Sequence, residues 1–382
     1  MKHHIQSIIG KGQGLRGIAA LACLATAAHA GGTMTFGQDK SVSIGGGLRA
    51  SISSTDASAP DGTSRSTDFN LDSIRLYTDF SLNKIIKGTF NVEKGGDNSV
   101  QVMDAIGRFE FSDGFNIWVG RMLPPSDRSN LDGPYYLNTW SFPMGSQYPA
   151  KFAGRDNGAT VWGKLADKKL VYAVGAYQGH NRFTGASNQS AQPLYAGRIQ
   201  FNFWDAEPNP AYYCSSTYYG GKEILALGVA SQSQKDGVGT AAKKGDYKGL
   251  SVDGLMETKA GIGWLTVEAA YYKYDTGGVV DFNPPSTAAP TANLGGITQG
   301  PSNLFSVAYL VSGAVGAGRL QPVVRYQKFD ADLAKVVTKR TDAGLNYIIE
   351  GHNARISATF SKIKVGNGPD TNAFILGTQL QF

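Results

Sequence analysis

The 382-residue sequence has few charged residues and lacks any long apolar run after its first thirty residues. Charged residues make up 17% of the chain, whereas soluble globular domains average about 25%. No segment beyond residue 30 approaches the ~18 consecutive apolar residues that a membrane-spanning helix needs. Low charge without long apolar runs favours strands in which apolar and polar residues alternate.

The first thirty residues have the pattern of a secretory signal peptide. Lys2, Lys11 and Arg16 precede or open an apolar core over 17–27, and Ala-His-Ala at 28–30 fits a cleavage site. We therefore expect residues 1–30 to be removed, leaving residues 31–382 as one domain. The removal lowers the basic residues from 36 to 33 against 30 acidic ones, a net charge of about +3. This small surplus does not predict nucleic-acid binding.

Cysteine and histidine are scarce in the expected mature domain. Cys214 is its only cysteine, which excludes an intramolecular disulfide and a cysteine metal site. Its two histidines are His180 in a loop and His352 in a tight turn, without metal-ligand spacing. No Ser-His-Asp order suggests a hydrolase. We predict a protein that is not an enzyme and has no cofactor and no bound metal.

Sixteen segments alternate apolar and polar residues with the two-residue period of a strand. The last one ends at Phe382 and sets Phe374, Leu376 and Leu380 against Gln379 and Gln381. The segments are 41–53, 72–82, 86–93, 102–111, 115–120, 159–165, 170–177, 194–204, 224–233, 250–258, 264–274, 303–311, 319–327, 341–349, 354–361 and 372–382.

The links between these segments alternate in length. Short links such as 83–85 and 112–114 alternate with long ones such as 123–158 and 275–302, and 205–223 is the exception. Short turns at one end, long loops at the other and an even strand number predict an all-β protein, an outer-membrane antiparallel β-barrel. A soluble sandwich offers no reason for such sorting. Barrels of sixteen strands enclose a water-filled channel.

The link over 123–158 is long and too aromatic for disorder. We expect it to fold into the barrel as the third extracellular loop and to narrow the pore. The alternative is a loop that packs over the rim or between subunits. The expected constriction residues are Asp127, Arg128, Asp132, Tyr135, Tyr136, Lys151 and Arg155.

Basic residues recur on the polar faces of the strands and are matched by acidic ones. Guanidinium groups in a pore attract anions, so we expect a weak anion preference. The alternative is ion pairing across the barrel, which would stiffen the wall and set a transverse field. Little ion preference and a preference for cations also stay open. The basic residues are Arg49, Arg75, Lys87, Arg108, Arg198, Arg325 and Arg355, and the acidic ones are Asp79, Glu93, Asp104, Glu110, Asp253, Glu268 and Asp342.

Several motifs resemble the phosphate-selective porin O and P family and its broader relatives. They are Gly-Arg-Met-Leu-Pro-Pro-Ser-Asp-Arg at 120–128, Tyr-Ala-Gly-Arg at 195–198, Gln-Pro-Val-Val-Arg-Tyr at 321–326, Gly-Leu-Asn-Tyr at 344–347 and Gly-His-Asn-Ala-Arg at 351–355. The resemblance implies a sixteen-stranded homotrimer with an inward third loop. It also implies that Phe382 is read by the barrel-assembly machinery. Phosphate-specific members use an arginine ladder and a lysine cluster, whereas Lys151 is alone in this loop.

Together these features predict a porin in the Gram-negative outer membrane, surrounded by lipid. It would pass small hydrophilic solutes and ions by diffusion. Two alternatives stay open: a substrate-specific channel for phosphate or a small polar solute such as a short-chain amide, and a structural or adhesive barrel with an occluded lumen.

Overall fold

The computed structural model describes residues 31–96, 99–147, 154–179, 192–239, 243–279 and 297–382. Within these ranges the chain forms eighteen β-strands and one short helix, α1 (Arg128–Asp132). The strands are β1 (Gly31–Gly37), β2 (Lys40–Thr55), β3 (Ser66–Ser81), β4 (Ile86–Lys94), β5 (Gln101–Ser112), β6 (Phe115–Met122), β7 (Asp156–Leu165), β8 (Leu170–Tyr177), β9 (Leu194–Asn202), β10 (Ile224–Gly239), β11 (Lys244–Ala260), β12 (Gly263–Asp275), β13 (Gly300–Val311), β14 (Ala314–Val315), β15 (Gly318–Ala331), β16 (Val336–Glu350), β17 (Ala354–Val365) and β18 (Asp370–Gln381). The expected signal peptide, Lys151 and His180 lie outside the described residues.

Sixteen of these strands close into an antiparallel barrel, as the sequence predicted. Each barrel strand pairs with the next, β9 pairs with β10, and β18 pairs with β2 to close the wall. At the seam Phe382 and Gly46 exchange two backbone hydrogen bonds of 3.0 Å. Closure leaves neither terminal barrel strand with an unpaired edge.

Two strands were not predicted. β1 pairs with residues 40–45 of β2, next to residues 47–55, which pair with β18. It therefore lengthens the seam between β2 and β18 at the end where β2 begins. β14 is a two-residue strand in the link between β13 and β15. Neither adds a strand to the sixteen that circle the barrel.

The two faces of the wall differ in polarity. Outward-facing Leu76, Phe360 and Leu380 are exposed, whereas inward-facing Arg75, Ser361 and Gln379 are buried. An apolar outside and polar inside are typical of a barrel wall in lipid. The alternation of apolar and polar residues over 102–111 would place Met103 on the outer face, but it lies inside. A β-bulge shifts the register of β4 and β5 between Asn91 and Val92, and Met103 is buried.

Apart from residues 203–223, long and short links lie at opposite ends of the barrel, which we call the long-loop end and the short-turn end. Two of the predicted long links, 234–249 and 329–339, are largely strand, because β10, β11, β15 and β16 continue beyond the apolar belt. Strand residues beyond the apolar band of the outer wall need not alternate between apolar and polar. The alternating pattern in the sequence therefore ends before these strands do.

The hydrophobic core lies inside the barrel. One buried cluster joins Trp118 and Trp162 of the wall to Leu131 of the link after β6 and to Tyr212 of the link after β9. Among the described residues, no helix is long and apolar enough to cross a membrane.

Candidate functional site

The link between β6 and β7, residues 123–155, is here called loop L3, and its described parts, residues 123–147 and 154–155, lie inside the barrel. Its helix α1 begins after Asp127, whose carboxylate accepts hydrogen bonds from the Asn130 amide (3.2 Å) and the Ser146 hydroxyl (2.8 Å). An aspartate at the N-cap satisfies an amide that the helix itself leaves unpaired. Gly133, with φ of 68°, follows the last helical residue. These local bonds give L3 a defined shape within the lumen.

Wall side chains hold L3 through its backbone carbonyls. The carbonyl oxygens of five residues between 135 and 141 each accept a bond from a different inward-facing side chain. The donors and acceptors are Gln379 to Tyr135 (2.9 Å), Arg355 to Leu137 (2.5 Å), Asn346 to Asn138 (2.8 Å), Arg49 to Trp140 (2.8 Å) and Arg325 to Ser141 (2.8 Å). Five neighbouring donors thus fix one stretch of L3 against β2 and β15–β18.

Arg128 links L3 to two other parts of the interior. Its guanidinium makes two bonds to Glu207 (2.6 and 3.1 Å) and one to the Ser215 carbonyl (2.8 Å). Its backbone amide donates to Asp253 of β11 (3.1 Å), which also accepts two bonds from Arg198 of β9 (2.6 and 2.7 Å). All four charged side chains are buried. The bidentate geometry of both pairs offsets the cost of burying these charges.

Most wall arginines are neutralised by carboxylates, as the ion-pairing alternative predicted. Arg75 binds Glu93 (2.9 Å), and Arg155 at the end of L3 binds Asp104 (3.1 Å). The remaining pairs are Arg108 with Asp79 (2.8 Å) and Glu110 (3.1 Å), Lys87 with Glu110 (2.8 Å), and Arg325 and Arg340 with Asp342 (2.9 and 2.7 Å).

Arg49 and Arg355 differ from the other wall arginines. They lie on either side of Gln379 in one lateral row of β2, β18 and β17. In the described part of the chain neither has a carboxylate ion-pair partner, and Nε of Arg49 and both Nε and Nη2 of Arg355 have no hydrogen-bond partner. The Arg49 guanidinium lies 3.9 Å from the centre of the Trp140 ring. This row presents two buried cations that form no ion pair with the described residues, although the charge of Asp72 acts on Arg49 through space.

The aromatic residues of L3 pack against the inner face of the barrel wall. Tyr135 is buried, bonds Ser73 through its hydroxyl (3.1 Å) and lies 4.9 Å from the Arg75 guanidinium. The ring of Tyr136 lies 4.7 Å from that of His352. Asp132 bonds the Ser216 hydroxyl (2.6 Å), and burial raises the pKa of its carboxyl well above the ordinary value. The described candidates of L3 thus lie inside the barrel but contact different parts of its wall.

A second inward segment was missed by the sequence analysis. Residues 203–223, here called the β9–β10 link, rise from the short-turn end into the lumen. Asn209, Cys214 and Thr217 are buried there, and Tyr212 packs against Trp118 with ring centroids 5.7 Å apart. Asp205 and Glu223 share a backbone hydrogen bond (3.0 Å), so the two ends of the link lie side by side.

Two sequence features indicated this link. It is the exception among the short links, and the segment 303–311 is apolar on both faces. The structure explains the second feature, because inward-facing Leu310 packs with Ile348 of β16 and with Tyr219 of the link. An apolar residue on the inner face of a porin-like strand therefore indicates a buried partner within the lumen.

His352, predicted as a turn residue, contacts both inward segments from its turn between β16 and β17. Its Nδ1 lies 3.3 Å from the Tyr135 carbonyl of L3, and its Nε2 lies 3.0 Å from the Thr217 carbonyl of the link. Burial and the charge of Arg355 lower the pKa of His352 to about 3. The neutral imidazole has one N–H, so it can donate to only one of these carbonyls at a time.

The two segments together fill the described interior. Inward-facing Gln321, Ser357 and Arg355 have exposures of 0, 0 and 1%, although their strands line a barrel wide enough for a channel. Across the described residues, no group of three or more His, Cys, Asp or Glu side chains is arranged to hold a metal ion. The described interior is therefore a packed, charged assembly.

Solved structures with the same architecture are outer-membrane porins and channels. The anion-selective porin of Comamonas acidovorans is 12% identical, with 90% of this chain and 100% of that chain covered and a TM-score of 0.59. OmpF of Salmonella typhi, solved with daunomycin, is 11% identical, with 92% and 100% covered and a TM-score of 0.58. The channel DcaP of Acinetobacter baumannii is 13% identical, with 91% and 100% covered and a TM-score of 0.54.

These likenesses define a porin-type barrel as the fold of this chain. No family model and no curated protein matches the sequence. Membership of the phosphate-selective O and P family therefore stays a prediction.

Proposed function

We propose that the protein is a channel of the outer membrane of a Gram-negative cell that passes small hydrophilic solutes and ions by passive diffusion. The closed sixteen-stranded wall, its apolar outer face and its charged inner face support this function. The porin folds of the structural neighbours support it as well. The protein works without catalysis in this proposal.

A weak preference for anions is part of the proposal, and the row of Arg49, Gln379 and Arg355 carries it. Two guanidinium groups that form no ion pair with the described residues raise the local positive potential and offer unpaired N–H donors. The preference is weak because the paired arginines contribute little net charge.

Passage in this channel requires movement of the interior. We propose that L3 is the constriction and that its carbonyl bonds to the wall break and re-form as it moves. The constriction residues would be Asp127, Arg128, Asp132, Tyr135, Tyr136, Lys151 and Arg155, together with the wall arginines Arg49, Arg75, Arg108, Arg198, Arg325 and Arg355. An anion competes for Arg49 and Arg355 because a charged acceptor forms stronger bonds than a backbone carbonyl.

The packed interior also favours two other functions. A channel specific for phosphate or a small polar organic solute would open only with its substrate. A structural barrel would stay closed. Both are distinguished from general diffusion by the electrical measurement below.

The proposal also includes the export and assembly of the protein. The protein is exported with cleavage after residue 30, inserted with Phe382 as the signal for the barrel-assembly machinery, and assembled as a homotrimer in the lipid. One structural neighbour, OmpT of Vibrio cholerae, was solved in a trimer form.

The reversal potential in planar lipid bilayers tests the function. Purified protein under a potassium chloride gradient should give an anion-directed potential. The double variant Arg49→Gln/Arg355→Gln should move the permeability ratio towards one, whereas Lys84→Gln, outside the lumen, should match the unchanged protein. A cation-directed potential would contradict the anion preference, and current that saturates with phosphate or an amide but not with chloride would support the specific channel. The absence of current in all three proteins would contradict the channel.

A further inference from the structure

Three lysines lie side by side on the outer face of the barrel near its long-loop end. Lys328 of β15 is paired with Lys339 of β16, and Lys339 is paired with Lys364 of β17. Their neighbours along the strands, Gln327 and Arg340, are buried towards the lumen, so the lysines face outward. Directly opposite residues have Cβ atoms about 4.5–5.5 Å apart, and like charges at this spacing repel. This arrangement calls for a negative partner.

The surrounding acids do not balance these lysines. Lys362 also faces outward on β17 and binds Asp370 (2.8 Å), and Lys328 binds Asp330 (2.7 Å). Four lysines against two carboxylates leave a surplus of two positive charges. Among the described residues, Lys339 has no ion-pair partner, whereas Lys364 lies directly opposite Asp370 and shares the charge of that carboxylate with Lys362. We call Lys328, Lys339, Lys362 and Lys364 the lysine face.

An apolar wall continues directly from the lysine face towards the middle of the barrel. Val324, Ala343, Phe360 and Phe374 form a lateral row on the same four strands. Val324, Phe360 and Phe374 are exposed on the outer face. On β15, β16 and β17 this row lies four residues from Lys328, Lys339 and Lys364, a distance of about 13 Å, and the matching position on β18 is Asp370. The surface therefore combines a cationic end with an apolar body.

We propose that the lysine face binds a lipid whose headgroup carries phosphates, with a phosphate between Lys339 and Lys364 and acyl chains along Val324 and Phe360. A soluble anion would use the lysines but not the apolar row, so the combination favours an amphiphile. The lipid comes from the leaflet at the long-loop end, where a phosphorylated glycolipid has the required charge and chains. This inference rests on the barrel spanning a membrane and is independent of what passes through its lumen.

Lipid binding by the purified protein in neutral detergent tests the proposal. The variant is Lys339→Gln/Lys364→Gln, and the matched control is Lys84→Gln/Lys222→Gln, which removes the same charge at exposed positions of the short-turn end. The probes are bisphosphorylated lipid A, its dephosphorylated form and inorganic phosphate. Native mass spectrometry counts bound lipid, and the midpoint of thermal unfolding reports stabilisation.

Lipid A should bind the unchanged protein and the control alike and raise their unfolding midpoints, and its affinity for the lysine variant should fall about tenfold. The dephosphorylated lipid and inorganic phosphate should leave the midpoint unchanged. Equal binding of lipid A by the lysine variant and the control would overturn the proposal. An equal midpoint rise with inorganic phosphate would assign the face to soluble anions and would also overturn it. Unchanged conductance of the lysine variant will show that its barrel is folded.

Discussion

Arg128 and Glu207 form a two-bond ion pair inside the barrel, with Nη2–Oε1 at 2.6 Å and Nη1–Oε2 at 3.1 Å. Arg128 belongs to L3, which enters from the long-loop end, and Glu207 belongs to the β9–β10 link, which enters from the short-turn end. Both side chains are buried. The pair therefore joins the two inward segments where they meet.

Replacing Arg128 with methionine should loosen this junction. The change leaves the buried carboxylate of Glu207 without its guanidinium partner, which costs about 3–5 kcal/mol in comparable buried pairs. We expect a lower midpoint of thermal unfolding and a higher channel open probability. The double variant Arg128→Met/Glu207→Gln should regain most of the stability, because it removes the unpaired charge. Equal destabilisation in both variants would contradict the assigned pairing.

Cys214 can report whether the interior opens. It is the only cysteine of residues 31–382, and it is buried in the β9–β10 link. Burial raises the pKa of its thiol to about 12, so the reactive thiolate is scarce in the packed state. We expect slow labelling by a small maleimide in the native protein and labelling at least tenfold faster in Arg128→Met. Denatured protein, which should label completely, is the control. Equally fast labelling of native and denatured protein would show that the link is not packed.

A single methyl group at Gly377 should displace L3. A Cβ atom there would lie 2.5 Å from the Trp140 ring, whereas a Cβ at Gly107 meets nothing closer than 3.7 Å. Overpacking of this kind costs about 1–3 kcal/mol. Gly377→Ala should therefore lower the unfolding midpoint and raise conductance, and Gly107→Ala should do neither. Identical behaviour of the two variants would place Trp140 away from β18.

Asp127 should make the docking of L3 dependent on pH. Burial, assisted by the charge of Asp253, raises the pKa of this carboxyl to about 6, although Ser146, Asn130 and Arg198 oppose the shift. A raised pKa means that the stabilisation is complete below the unfolded pKa near 3.8 and is lost as the pH rises through about 6. The Asp127 contribution alone should accordingly increase the labelling of Cys214 from pH 4 to pH 7, after correction for the reagent's own pH dependence.

The variant Asp127→Asn separates this effect from other titrating groups. His352 acts with the opposite sign, because its lowered pKa removes stability as the pH falls from about 6.5 towards 3. The difference between the unchanged protein and Asp127→Asn should isolate the Asp127 contribution. A difference that does not vary across the range would contradict the assignment.

The wall of the barrel could be predicted from the sequence because its outer face must be apolar wherever it meets lipid. That requirement gave the sixteen strands and the outward positions of Phe374, Leu376 and Leu380. The prediction stopped short at β10 and β11, whose ends extend beyond the apolar belt and so lose the alternation. The bulge at Met103 could not be predicted from the sequence either. One extra residue in a strand reverses the face on which the following side chains lie, but it leaves the residue composition unchanged.

The interior could be predicted only in part, because its contacts depend on strand register and on how two loops meet. The residue types of the wall ion pairs were visible, but the pairing of Arg198 with Asp253 joins residues 55 positions apart in sequence. The lack of an ion pair at Arg49 and Arg355 among the described residues is likewise a property of the folded wall. The sequence indicated the β9–β10 link only through its unusual length and through apolar residues on the inner faces of the strands that contact it.

Single-channel conductance with and without the β9–β10 link tests the central claim most directly. Asp205 and Glu223 are already hydrogen-bonded neighbours, so residues 206–222 can be replaced by a two-residue Asn-Gly turn that keeps β9 and β10 in place. We expect anion-directed current in both proteins, with a clearly larger conductance when the link is removed. No current from either protein would contradict a channel, and equal conductance would contradict the role of the link in filling it.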